Sequence, residues 1–315
     1  MSINDPHIEQ LKLSFRATLF KLLLRLLNRK RLWASIEGLA RGIKQVRKEG
    51  PARPSKALSQ KIKVTVEIIS GCEVYIVSPI NWDGNESILY VHGGGYVRPI
   101  TSFHWNFIEW LVQARNAAVV VPMYPLAPES KCLHTLNTLL AIHDFFIYRY
   151  GCLQSFMGDS AGAGLCLTLC QELKLNRQSM PDKLVLMTPF VDATMQNPGI
   201  VEIESRDLML GVSGITEAAL LYSGELPVDD PRISPIYGDL HGLPEMLILI
   251  ATDDILSLDA LIFAEKAQKS SVKIELFMGH KLMHAWPLLP IPEAFVARKE
   301  IQQFLDRNNN SSAYV

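Results

Sequence analysis

The pentapeptide Gly158-Asp159-Ser160-Ala161-Gly162 lies between a β-rich run, Cys152 to Met157, and a helical run, Leu165 to Leu175. A chain that passes from strand to helix so abruptly must reverse within those residues, so glycines flank the serine and its hydroxyl is left exposed at the sheet's carboxyl edge. One such match is weak alone. A second glycine cluster, His92-Gly93-Gly94-Gly95-Tyr96, follows another hydrophobic run, Ile88 to Val91. Two such loops in this order, each at a strand end, constrain the fold to an α/β architecture whose reactive groups gather at one edge of a sheet.

The rest of the chain agrees. Residues 63–69 and 73–78 alternate like a hairpin around Gly71, and further strands are predicted over 87–91, 119–121, 183–187, 246–251 and 272–278. Helical spacing marks residues 103–115, 133–150, 257–270 and 293–306. Such alternation predicts a mostly parallel, twisted sheet with helices on both faces, filling a catalytic domain over residues 55–315.

Ahead of it, residues 1–54 form an N-terminal segment. Ile8, Leu11, Phe15, Leu19, Leu22, Leu23 and Leu26 recur at helical spacing with bases between them, which predicts one or two amphipathic helices ending at Gly50-Pro51 and a hinge over Pro51 to Pro54. Residues 189–235 are punctuated by Pro and Gly, too broken for core and too apolar for solvent alone. This stretch reads as a second cap segment, roofing the pocket together with the N-terminal helices.

Composition excludes several classes. With 48% hydrophobic and 20% charged residues and a formal net charge of −1, the 315 residues carry no general pull toward nucleic acid or membranes. Residues 1–50 nevertheless hold 11 Lys/Arg against 4 Asp/Glu, so the remainder is acidic. Helices packed on the body with their basic face in water are the expected arrangement, and contact of residues 1–50 with an anionic membrane is the alternative. Five cysteines without a C-x-x-C pair read as reduced thiols of a cytoplasmic protein, Cys166 and Cys170 serving as small core hydrophobes. The start Met1-Ser2-Ile3-Asn4-Asp5 does not read as a signal peptide, and the apolar run Leu19 to Leu27 is interrupted by Lys21 and Arg25 and falls short of the ~20 residues of a bilayer span. No phosphate loop, dinucleotide fingerprint, HExxH or zinc spacing is present, so no cofactor and no metal are expected. The partner expected is a small molecule.

A serine hydroxyl attacks a carbonyl only with a base in hydrogen-bond reach and a third group orienting that base. Both follow in chain order. Thr252-Asp253-Asp254 ends one strand, and Gly279-His280-Lys281-Leu282-Met283-His284 follows another. Asp254 and His284 are the choices, and His280, nearer its strand, is the rival. Backbone N–H groups of Gly93, Gly94 and Ala161 are the candidate oxyanion donors, with His92, Gly95 and Asp159 in support. His7, His104, His134, His143 and His241 have no partner pattern and take surface or core roles.

To these motifs the chain adds Tyr124-Pro125-Leu126-Ala127-Pro128-Glu129, Ser234-Pro235 followed by Leu243-Pro244, Asp254-Ile255-Leu256 and His284-Ala285-Trp286. In this combination it resembles the hormone-sensitive-lipase-like esterases of the α/β-hydrolase fold, the group that includes bacterial acetyl esterases, over about residues 63–305. The resemblance implies Asp254 over Asp253 and His284 over His280. It also implies a cap joined from the N-terminus and the segment after the sixth strand, and short acyl esters, acetyl to about hexanoyl, as substrates. Pro125 stands where the family has Arg, His134 where it has Pro and Thr252 where it has Gly, which bears on local loop shape. Plant hormone receptors of this family lose a triad member. This chain keeps all three, so turnover is expected over ligand binding alone, while lactonase or amidase chemistry at the same site is not separable by sequence.

Overall fold

A computed structural model describes residues 13–55, 62–84, 86–151 and 153–307. His7, Ile8, Leu11, the N-terminal pentapeptide and Cys152, all read above, lie outside the described residues, as do parts of the proposed segment 1–54 and of the domain 55–315.

Eight strands form one sheet: β1 (Ile62–Ile69), β2 (Cys72–Pro79), β3 (Ser87–Val91), β4 (Ala118–Pro122), β5 (Ser155–Asp159), β6 (Lys183–Met187), β7 (Glu245–Asp253) and β8 (Ile274–Met283). Their order is β1-β2-β4-β3-β5-β6-β7-β8, with β1/β2 and β2/β4 antiparallel and every other pair parallel. The helices are α1 (Phe15–Leu26), α2 (Ile36–Glu49), α3 (Ser102–Arg115), α4 (Cys132–Tyr150), α5 (Ala161–Leu175), α6 (Ile200–Glu204), α7 (Val212–Ser223), α8 (Ser257–Lys269) and α9 (Pro292–Asp306). None of them is long and apolar enough to cross a membrane.

The period of two in each strand divides the core into two layers. Tyr90, Val121, Met187 and Leu249 face a layer closed by α3, α9 and one side of α1. Leu89, Val120, Leu186 and Ile248 face the opposite layer, closed by α4, α5 and α8, to which Trp33 and Leu39 of the N-terminal segment and Ile215, Ala218 and Tyr222 of α7 also belong.

Three differences from expectation have physical causes. The stretch 189–235 contains the regular helix α7, whose glycines serve contact rather than disorder: a Cβ at Gly214 would lie 2.3 Å from the Trp33 carbonyl oxygen, which accepts the Gly214 N–H at 2.9 Å. Pro51 to Pro54 is pinned, because Ala52 donates to the Ile100 carbonyl at 3.2 Å and accepts from Trp105 Nε1 at 2.8 Å. Finally, β8 runs on to Met283, carrying His280 within the strand as an exposed residue.

At the N-terminus, the Ser14 hydroxyl caps α1 at Ala17 N (3.0 Å), and the Ser35 hydroxyl caps α2 at Gly38 N (3.0 Å). A 3-10 turn, Arg29–Leu32, joins the two helices, and α2 packs on α7.

Candidate active site

β5 ends at Asp159 and α5 begins at Ala161, which leaves Ser160 as the entire turn, at φ 52° and ψ −124°. A non-glycine residue in that region is strained, and the strain is held by its surroundings. Ser160 N–H donates to the Met187 carbonyl at 2.9 Å, and its own carbonyl accepts from Gly164 and Phe190. The flanking glycines permit close approach. A Cβ at Gly158 would come within 2.6 Å of the Gly162 backbone, and one at Gly162 within 2.0 Å of the Val91 carbonyl oxygen.

The bulged end of β7 turns two adjacent carboxylates in opposite directions. Asp254 is fully buried; Oδ1 accepts from Leu256 N at 3.0 Å and Oδ2 lies 2.8 Å from His284 Nδ1. Asp253 instead pairs with Lys21 of α1 at 2.8 Å. His284 follows β8 and is 4% exposed, on a turn held by Trp286, whose Nε1 donates to the Ile250 carbonyl at 3.1 Å. Burial opposes the imidazolium, but the Asp254 carboxylate, assisted by Asp207 and Asp159, outweighs it and raises the His284 pKa above its ordinary value. Ser160 and His284 line one cavity, although no hydrogen bond joins the serine hydroxyl to the imidazole among the described residues. Such bonds commonly tighten only with substrate bound.

The glycine loop corrects one expectation. Gly93 N–H donates to Asp159 Oδ1 at 3.0 Å and is therefore not free for an oxyanion. The reason is proximity: a Cβ at Gly93 would lie 2.2 Å from Asp159 Oδ2. Gly94 and Gly95 both line the cavity, and the N–H groups of Gly94, Gly95 and Ala161 have no acceptor among the described residues. His92 stays outside the cavity lining, stacked on Tyr124 with ring centroids 4.4 Å apart, and its Nδ1 lies 2.7 Å from the Gly93 carbonyl oxygen. Burial first, and His104 next, push its pKa down to about 4, so it is neutral near pH 7.

Two residues escaped the sequence reading. His104 caps α3 with Thr101, lines the cavity and lies 3.3 Å from Asp159 Oδ2. Burial alone would raise the Asp159 pKa, yet His104, Tyr90 OH at 2.8 Å and the Gly93 N–H hold it below the ordinary value. Asp207, between α6 and α7, accepts from Met209 and Leu210 N–H on one oxygen and from Ile255 N–H on the other, tying this segment to the Asp254 loop. Burial, then the Asp254 charge, pushes Asp207 up to about 6. What links each residue to the site is not local, since Asp159 lies 55 residues from His104 and Ile255 lies 48 from Asp207. Of the other histidines, His134 bonds Ser130, His143 meets Asp144 and His241 is exposed.

The cavity measures about 410 Å³. Its walls are mostly apolar, with Phe20, Leu24 and Leu27 from α1 and its end, joined by Trp33, Leu210, Ile215, Leu288 and Leu289.

Residues 88–288 match the family model described as alpha/beta hydrolase fold. The chain belongs to the alpha/beta hydrolase fold family. Within this alpha/beta hydrolase family it is similar to an esterase of Acinetobacter venetianus, at 28% identity over 69% of this chain and 73% of that one. It is also similar to an acetyl-hydrolase of Streptomyces hygroscopicus, at 28% identity over 71% and 77%. The solved structure of a hormone-sensitive lipase from a metagenome library superposes with a TM-score of 0.79 at 27% identity, covering 92% of this chain and 97% of that one. The resemblance to hormone-sensitive-lipase-like carboxylesterases that the motifs imply is thus confirmed, as is the mostly parallel α/β-hydrolase sheet.

Proposed function

We propose that this carboxylic ester hydrolase works through Ser160 as nucleophile, His284 as general base and then general acid, and Asp254 as the group that orients the imidazole. The 2.8 Å contact between buried Asp254 and His284 Nδ1, with His284 lining the same cavity as Ser160, carries the reading. His284 takes the Ser160 proton as Oγ attacks the ester carbonyl carbon and returns it to the leaving alkoxide, giving an acyl-enzyme and free alcohol. Water then repeats the exchange and releases the acid. The N–H groups of Gly94, Gly95 and Ala161 are the proposed oxyanion donors, each worth about 3–4 kcal/mol in the transition state by analogy with single-donor deletions. Ala161 adds the positive end of α5. His92 and Asp159 brace the glycine loop.

Residues 1–54 and 189–235 act as a two-part cap, and the substrates are small-molecule esters with acyl groups from acetyl to about hexanoyl. The apolar walls contributed by α1, Trp33 and Ile215 suit a hydrocarbon chain. Turnover of p-nitrophenyl acetate, butyrate, hexanoate and laurate by wild type and by Ser160→Ala tests the reading. It expects hydrolysis of the three shorter esters, a sharp drop at laurate and at least ~10³-fold loss in the variant. Equal rates in variant and wild type would reject the nucleophile, and undiminished laurate hydrolysis would reject the chain-length limit.

A further inference from the structure

α1 is apolar on nearly every side. Ala17 and Leu24 are buried, while Phe20, Leu23, Leu24 and Leu27 line the cavity. Phe15, Leu19, Leu22 and Leu26 instead face water, Phe15 at 81% and Leu26 at 75% exposure. The spacing of those four places them on one side of the helix. An apolar stripe of this kind marks an interaction surface.

Charge indicates what covers it. From Leu13 to Ile36 the chain has six Lys/Arg and no Asp or Glu. Lys21 is taken by Asp253, whereas Arg16, Arg25, Arg29 and Arg31 are exposed and make no ion pair among the described residues. A second copy docked stripe to stripe would set these arginines against their own equivalents, and residues 13–36 contain no acid to offset them. Anionic headgroups supply the missing charge and the acyl layer beneath them the missing apolar contact. The cavity opens on the same side, because Leu23 and Leu27 both line it and are 46% and 54% exposed.

We propose that α1 docks the protein on the surface of an anionic lipid bilayer. Phe15, Leu19, Leu22 and Leu26 enter the boundary of the acyl region, the arginines meet the headgroups, and the cavity mouth faces the membrane. The docking is independent of the hydrolytic reading.

Co-sedimentation with vesicles of phosphatidylcholine alone and of phosphatidylcholine with phosphatidylglycerol tests it, using wild type, Leu19→Gln/Leu22→Gln/Leu26→Gln and Arg16→Glu/Arg25→Glu. Wild type is expected to bind the phosphatidylglycerol vesicles at low salt. Binding should fall at least ~10-fold without the anionic lipid, at roughly 0.5 M salt, and in either variant. Both variants should still hydrolyse p-nitrophenyl acetate without vesicles, which shows that they fold. Failure of wild type to sediment with anionic vesicles, or equal binding by the variants, would overturn the proposal. So would a wild-type dimer in light scattering that the leucine variant converts to monomer, since a second copy would then be the cover.

Discussion

At His284 two effects oppose each other: burial disfavours a charged ring, and three neighbouring carboxylates favour it. The carboxylates win, so the base of the proposed triad is protonated to a higher pH than a free imidazole. Since only the neutral ring accepts the Ser160 proton, the acid limb of kcat/KM should have its midpoint above the ordinary 6.5. A pH–rate profile on p-nitrophenyl butyrate checks this, and a midpoint at or below 6.5 contradicts it. The linkage to stability has the opposite sense: the raised pKa contributes stabilisation in full below 6.5 and loses it as pH rises through the folded value. His284→Ala should cost at least ~10³ in kcat/KM while His280→Ala, altering an exposed strand residue, keeps most of the activity. A buried carboxylate elsewhere offers a separate test. Asp259 accepts from Asn197 on Oδ1, its Oδ2 has no partner among the described residues, and burial pushes its pKa up to about 6. Asp259→Asn should therefore stabilise the fold at pH 8 by about 1–2 kcal/mol and by roughly half as much at pH 5, because the unfolded carboxyl stays ionised down to its ordinary 3.8. Urea melts at the two pH values distinguish these outcomes.

Among the elements, α2 adds to the apolar packing of Leu39 a polar anchor on the catalytic body, Arg47. Arg47 forks onto Glu129 with Nε and Nη2, each at 2.9 Å, and donates to the carbonyls of Val97 and Ala127 at 2.8 Å. Arg47→Ala should lower stability by about 1–2 kcal/mol, and Arg47→Lys should recover less than half, because an ammonium cannot reproduce the fork. Equal melts for the two variants would contradict this. The elements also show what could be read beforehand. β3, β4 and β6 were legible because runs such as Val119-Val120-Val121 have few other uses. α7 was not, because Gly211 and Gly214 look like breakers in isolation; the Trp33 backbone against which they pack lies far off in sequence. Order and strand-end position marked out the Asp253-Asp254 and His280/His284 candidates, and the family resemblance chose Asp254 and His284 among them. Gly93 was misassigned because only the folded chain brings the Asp159 carboxylate to its N–H.

Over the whole molecule, neither part of the proposed cap has a core of its own among the described residues. Trp33, Leu39 and Ile215 share an apolar layer with Leu89 and Leu186, while Ala17 and Leu24 share the other with Tyr90 and Met187. Calorimetry should accordingly show one unfolding peak, with esterase activity lost across the same temperature range. A separate low-temperature peak that leaves the remaining sheet folded would refute this shared construction. One contact within it has a further consequence. The Trp33 indole rests where a Cβ on Gly95 would be, 2.7 Å from its Cη2. The proposed roof and the proposed oxyanion loop are thereby interlocked: a displacement of Trp33 would also take away the wall that holds Gly95 in position, so in that reading opening and disarming would be a single event.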